Sequence, residues 1–185
     1  MAKKIIFSES ISTINLTNSI KEHIHTLLYK SINEANVLTA SNRKGIQTKN
    51  ILDDKIFNFF KDPVNNLLNE FGLKICKINI TKCWINSNKK DSHNIIHDHQ
   101  GAHFSAVYYV DVPEGSGNLI FFRRSSNSVM SDFFKPNTDS AYDYSITPKE
   151  GLLVLFPAHI LHYVTPGNNE KDRISLSFDI EIQNG

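Results

Sequence analysis

Arg173-Ile174-Ser175-Leu176-Ser177-Phe178-Asp179-Ile180-Glu181-Ile182 is the stretch whose reading decides the fold. Ile174, Leu176, Phe178, Ile180 and Ile182 form one row, and Arg173, Ser175, Ser177 and Asp179 form the other. Successive side chains of a strand point to opposite faces, so this is a strand with an apolar and a polar side. Upstream, strands are expected at residues 162–165, 152–156, 118–122 and 104–110. A further strand is expected at 73–85, with Ile78, Ile80 and Trp84 on one face. Pro113, Gly115 and Gly117 mark one turn, Pro148 and Gly151 a second, Pro166 and Gly167 a third.

Before residue 73 the period changes to that of a helix. Ile14, Leu16, Ile20, Ile24, Leu27, Leu28 and Ile32 form a helical stripe over 12–35. Residues 36–49 are mostly polar and read as a loop. Ile51, Leu52, Ile56, Phe57, Phe59 and Phe60 predict a helix over 50–61. Asp62-Pro63 reads as a fresh start, with Asp as N-cap and Pro in the first turn, and Gly72 as the stop. Many short strands after a helical preface predict a mainly β protein. The expected architecture is a jelly roll (double-stranded β-helix) with the N-terminal helices packed on one outer face.

The chain has 185 residues, 40% hydrophobic and 21% charged. That length predicts one domain over 1–185, with a helical part at 1–72 and a jelly-roll core at 73–185. A net charge of +1 argues against nucleic acid as a partner, since phosphate neutralisation needs a basic face. Lys89 and Lys90 beside Asp91 read as a solvated turn. No run of eighteen apolar residues predicts a membrane span, and the N-terminus has no signal-peptide pattern. Cys76 and Cys83 would face opposite sides of one strand and stay unbridged, which fits a cytoplasmic protein. The long polar segment 124–144, with Phe133, Phe134 and Tyr142 as anchors, is expected to close over a site.

Four of the eight histidines fall together: His93, His97, His99 and His103. On a strand His97 and His99 share a face and could offer two nitrogens to one metal. His162 follows the buried strand 152–156. Arg173 shares a face with Ser175, so a guanidinium and a hydroxyl could together hold a carboxylate.

These segments, with Trp84-Ile85-Asn86, Ser105-Ala106-Val107-Tyr108-Tyr109-Val110, Gly117-Asn118-Leu119-Ile120-Phe121-Phe122 and Phe156-Pro157-Ala158-His159-Ile160-Leu161-His162, form a pattern over roughly residues 73–182. It resembles the 2-oxoglutarate/Fe(II)-dependent oxygenases of bacteria and their phages, distant relatives of prolyl hydroxylases. The resemblance implies Fe(II) held by His97 and His162, and 2-oxoglutarate held by Arg173 and Ser175. Tyr108 or Tyr109 would line the cosubstrate pocket, and strand alternation lets only one of them face inward. It also implies O2, succinate and CO2, and hydroxylation of an unactivated C–H bond in a small-molecule or peptidyl substrate. One departure stands out. The usual facial triad is two histidines and a carboxylate. In the relatives the carboxylate comes two residues after the first histidine, and here that position is His99. The preferred ligand set is His97, His99 and His162, with Asp98 the alternative should a bulge turn it inward.

Two competing readings follow from the same residues. A three-histidine site also suits a cupin-like metal protein or a non-catalytic binding jelly roll, and the Arg173/Ser175 pair is what separates these from an oxygenase. His93 and His97 have the i, i+4 spacing of a helical zinc pair, yet Asn94 stands where a zinc hydrolase needs its glutamate.

Overall fold

A computed structural model describes residues 9–73, 77–122 and 143–183. In chain order its elements are β1 (Ser12–Asn15), α1 (Lys21–Asn33), β2 (Val37–Leu38), β3 (Asn42–Arg43), β4 (Ile46–Thr48), α2 (Asp54–Glu70) and β5 (Lys77–Asn88). Then come β6 (His93–His97), β7 (Phe104–Asp111), β8 (Leu119–Phe122), β9 (Asp143–Ile146), β10 (Leu152–Pro157), β11 (Leu161–Val164) and β12 (Arg173–Gln183). The major sheet runs β1-β10-β7-β12-β5-β4-β2, and the minor sheet runs β3-β6-β11-β8-β9. Strands β5 to β12 divide four to each sheet, all pairs antiparallel, in the manner of a double-stranded β-helix.

The apolar row of β12 does what its alternation predicts. Ile174, Leu176, Phe178 and Ile180 are buried with Ile24 and Leu28 of α1 and Ile56, Phe60, Val64 and Leu67 of α2. Both helices therefore cover the outer face of the major sheet. A second apolar cluster fills the space between the sheets, around Tyr109, Leu119, Phe121, Val154 and Phe156.

The helical part differs from its sequence reading in three ways. Residues 12–15 are a strand, because Ser12 to Asn15 pair with Leu155 to Leu152 at the sheet edge. Residues 37–48 hold three short strands instead of a loop, two of them extending the major sheet and one the minor. Finally, α2 is one helix with Pro63 inside it, capped by Asp53, whose Oδ1 accepts from the Ile56 N–H at 2.9 Å. An internal proline costs about 3 kcal/mol. Five buried residues on the α2 stripe, at about 1.5–3 kcal/mol each, outweigh it. Gly72, at φ +71°, ends the helix as expected.

Two bulges aim side chains at the site. In β5, Lys82 pairs with Asp179 and Ile80 with Ile180, leaving Thr81 as the extra residue. Ile78, Ile80, Cys83 and Ile85 therefore all face the helices. Trp84 turns to the opposite side, against its expected grouping with Ile78 and Ile80. In β7, Val110 is extra between Tyr109 and Asp111. This leaves Tyr109 facing the minor sheet and turns Asp111 toward Lys21 and His25 of α1. Cys83 is a buried free thiol. Cys76, and residues 124–142 of the segment expected to close over the site, lie outside the described residues.

Candidate metal centre and anion pocket

Cross-strand register brings two histidines together: His97, last in β6, pairs with His162 of β11. His99 follows two residues after the strand ends, and its N–H donates to Ala158 O at 2.9 Å, which fixes the turn across the barrel mouth. One nitrogen from each of His97, His99 and His162 lies within 4.8 Å of the others, and the Nε2 atoms of His99 and His162 are 3.2 Å apart.

The other ring nitrogens are all engaged. His97 Nδ1 contacts Ile95 O at 2.7 Å, His162 Nδ1 contacts Ile160 O at 3.0 Å, and His99 Nδ1 contacts Asp179 Oδ1 at 3.0 Å. Each partner is an acceptor, so each Nδ1 carries the proton and each Nε2 presents a lone pair. Burial holds both His97 and His162 below the ordinary histidine pKa. His162, 5% exposed, is pulled down to about 3 by burial and then by its two histidine neighbours. Grouped imidazoles, with His97 and His162 favoured in the neutral form by burial, are a donor set for a borderline metal cation such as Fe(II).

Deeper in the same pocket lie Arg173, Ser175, Tyr109 and Asn86. Arg173 is 2% exposed. Its Nη1 donates to Gly117 O at 3.0 Å, and its Nε has no partner among the described residues. Glycine is needed at 117, because a Cβ there would lie 1.9 Å from Thr165 O. Burial lowers the Arg173 pKa while Tyr109 opposes the shift, and burial raises the Tyr109 phenol to about 12. No carboxylate pairs with Arg173 among the described residues. An arginine stays charged in proteins, and a buried charge without a counterion costs several kcal/mol. A guanidinium in that setting can hold an anion.

The two tyrosines separate. Tyr109 lines this pocket. Tyr108, an equal candidate from the sequence, is corrected to a core residue. It packs edge-on against Phe60, and its hydroxyl donates to Asn18 Oδ1 at 3.0 Å. It faces the helices because Leu176, its partner on β12, does. Asp98 lines a neighbouring groove and is not among the three grouped ligands. His93 and His97 are the ends of a strand, not of a helical turn, so the zinc-hydrolase spacing has no structural counterpart. Residues i and i+4 of a strand stand about 13 Å apart.

That groove, about 450 Å³, opens beside the histidines. Leu38, Gln47, Lys49, Lys82, Trp84 and Ile95 are among its walls. Trp84 stacks on His99, with centroids 5.6 Å apart and planes at 27°. Sequence reading missed the contribution of residues 38–50. Lys44-Gly45, a turn signal between two short polar runs, was the available clue.

The chain matches a family model described as 2OG-Fe(II) oxygenase over residues 82–179. Among curated proteins, none matches it in sequence. A Pseudomonas putida prolyl-4-hydroxylase is similar in structure, at 15% identity and TM-score 0.63, over 96% of this chain and 94% of that one. The viral collagen prolyl hydroxylase of Paramecium bursaria Chlorella virus-1, in a 2-oxoglutarate complex, aligns at 16% identity and TM-score 0.59 over 92% and 94%. HygX of Streptomyces hygroscopicus, with nickel, 2-oxoglutarate and hygromycin B bound, aligns at 12% and 0.63 over 94% and 83%.

Proposed function

The chain belongs to the 2-oxoglutarate/Fe(II) oxygenase family, and from that premise we propose that His97, His99 and His162 hold its iron while Arg173, Ser175 and Tyr109 hold its cosubstrate. The observation that carries the assignment is the buried Arg173 guanidinium, which among the described residues has no counterion and an unpartnered Nε. It lines the same pocket as the three imidazoles. A jelly roll that only stored a metal would have no use for that charge. In 2-oxoglutarate, carboxylates at the two ends of a five-carbon chain suit a pocket with a cation-binding end and a guanidinium end.

The residues divide the work. His97, His99 and His162 would hold the metal through their grouped ring nitrogens. Arg173 and Ser175 take the distal carboxylate, the guanidinium by parallel N–H bonds. Phe156 and Leu119 form an apolar part of that wall, and polar contacts made away from water are stronger for it. When bound, iron and 2-oxoglutarate supply the oxidising chemistry: O2 is consumed, succinate and CO2 leave, and one oxygen atom goes to a substrate C–H bond. The substrate, a small molecule or a peptide, approaches through the groove walled by Trp84, Leu38, Ile95, Lys49 and Lys82. We read 1–185 as one domain, since helices and sheet share a core. Among the described residues no helix is long and apolar enough to cross a membrane. A cytoplasmic location and a partner other than nucleic acid complete the proposal.

Anaerobic titration with Fe(II) and then 2-oxoglutarate, followed by succinate measurement in air, tests it. Saturable binding of both and succinate release are expected. Binding of Fe(II) without any 2-oxoglutarate affinity would overturn the cosubstrate assignment.

A further inference from the structure

Three imidazoles leave a divalent cation without the negative ligand of the usual two-histidine, one-carboxylate set. The structure places a carboxylate one step behind them. Asp179 lies on the polar row of β12 that also carries Arg173 and Ser175. It is 8% exposed. Its Oδ1 accepts from His99 Nδ1 at 3.0 Å and from Ser105 Oγ at 3.1 Å. The three histidines differ in what holds the Nδ1 side: His97 and His162 lean on neutral backbone carbonyls, and among the described residues His99 alone of the three leans on a carboxylate.

Resting on the metal-site assignment above, we propose that Asp179 is a positioning residue that supplies, through His99, the negative charge the three-imidazole set lacks. A carboxylate on Nδ1–H fixes the tautomer and ring plane and makes Nε2 a stronger donor. The low exposure of both partners keeps solvent from screening the pair. Ser105 is a second donor to Asp179 and holds its carboxyl group in place. The same strand thus orients a metal ligand near one end and the cosubstrate anion near the other.

The chain contains a built-in reporter. Trp84 is its single tryptophan, and it stacks on His99. Binding of Fe(II) or Co(II) at the site should change its fluorescence, so metal affinity is readable under anaerobic conditions without turnover. Asp179→Asn preserves size and an acceptor for His99 Nδ1–H, and removes only the charge. It should weaken Fe(II) binding by about 10- to 100-fold, the range found when outer partners of metal ligands are changed. Asp179→Glu, which restores the charge, should bind Fe(II) more tightly than Asp179→Asn. The decisive measurement is the same change in a His99→Asp background, where the ligand itself carries the charge. There Asp179→Asn should cost less than about threefold, a departure from additivity that coupled neighbours show. Unchanged Fe(II) affinity in Asp179→Asn overturns the proposal. So does an equal loss in both backgrounds, which marks a purely structural role. Failure of the metal-site reading has a different signature: His162→Ala would then retain wild-type Fe(II) affinity.

Discussion

Arg173 shows how one residue can be read for function from energetics alone. Its charge is buried and its Nε has no partner among the described residues, a cost that an anionic ligand would remove. Truncating one partner of a desolvated charge pair costs about 2–5 kcal/mol. Arg173→Ala is therefore expected to raise the 2-oxoglutarate Kd roughly 30-fold or more while Fe(II) binding stays near wild type, as calorimetry can show. Arg173→Lys should recover only part, because an ammonium lacks the bidentate fork. Equal 2-oxoglutarate affinity in Arg173→Ala and wild type removes the assignment. For the metal, His97→Ala, His99→Ala and His162→Ala should each bind Fe(II) at least about tenfold more weakly, given what even outer partners cost. If Asp98→Ala proves the damaging change and His99→Ala does not, Asp98 replaces His99 in the set. Arg173 and Ser175 were legible as a pair because strand alternation gives them one face, opposite Ile174 and Leu176, whereas His99 joins His97 from beyond the strand end. Choosing between Tyr108 and Tyr109 was not possible that way. Both faces of β7 are largely buried, and Ala106 to Val110 is an unbroken apolar run, so no alternation marks the inner side.

At the level of elements, long strands were legible and short or bulged ones were not. The eleven residues of β12 show their period plainly, whereas β2, β3 and β4 have two or three residues each and no period to show. Trp84 was misplaced because a single extra residue at Thr81 inverts every assignment beyond it. Helix α2 was divided at Asp62-Pro63 because local propensity favours a restart there, and tertiary burial of its stripe overrides that preference. Since Pro63 is tolerated rather than required, Pro63→Ala should stabilise the protein by about 1–3 kcal/mol, seen as a higher urea midpoint. A lower midpoint would mean that the proline shapes the helix. The true cap is Asp53. Burial pushes its carboxyl pKa up, but the Ile56 N–H and His23 outweigh burial and hold it below its ordinary value. A depressed folded pKa gives stability that is present above the ordinary value near ~3.9 and is lost as pH falls through the folded value. Asp53→Ala should cost about 1 kcal/mol at neutral pH, and the gap to wild type should narrow below about pH 4. A gap that stays constant through that acid range would exclude the cap carboxylate as its source.

For the whole molecule, the question is whether the jelly roll stands without the helical part. The outer face of the major sheet presents Leu153, Leu155, Leu176, Phe178 and Ile180, all buried under the helices. From the other side, Ile20, Ile24, Leu28, Ile56, Phe60, Val64, Leu67 and Leu68 close that core. At even ~1.5 kcal/mol each, the low end for burying such side chains, these eight account for about 12 kcal/mol. That is comparable to the entire stability of a typical domain, about 5–15 kcal/mol. The N-terminal part also covers edges. β1 pairs with β10, β4 with β5, and β3 with β6, so removing it exposes three strand edges together with an apolar sheet face. Both conditions favour aggregation. The site would suffer as well, because Gln47, Lys49 and Leu38 wall the groove beside the histidines. Residues 73–185 expressed alone are therefore expected to be insoluble or to lack a cooperative thermal transition, and to show no saturable Fe(II)-dependent change in Trp84 fluorescence. The full chain should unfold in one transition, with near-wild-type 2-oxoglutarate affinity lost at the same denaturant concentration as the helical circular-dichroism signal. Cooperative unfolding of 73–185 with intact Fe(II) binding would show that the two parts are separable, and the reading of 1–185 as one domain would have to be given up.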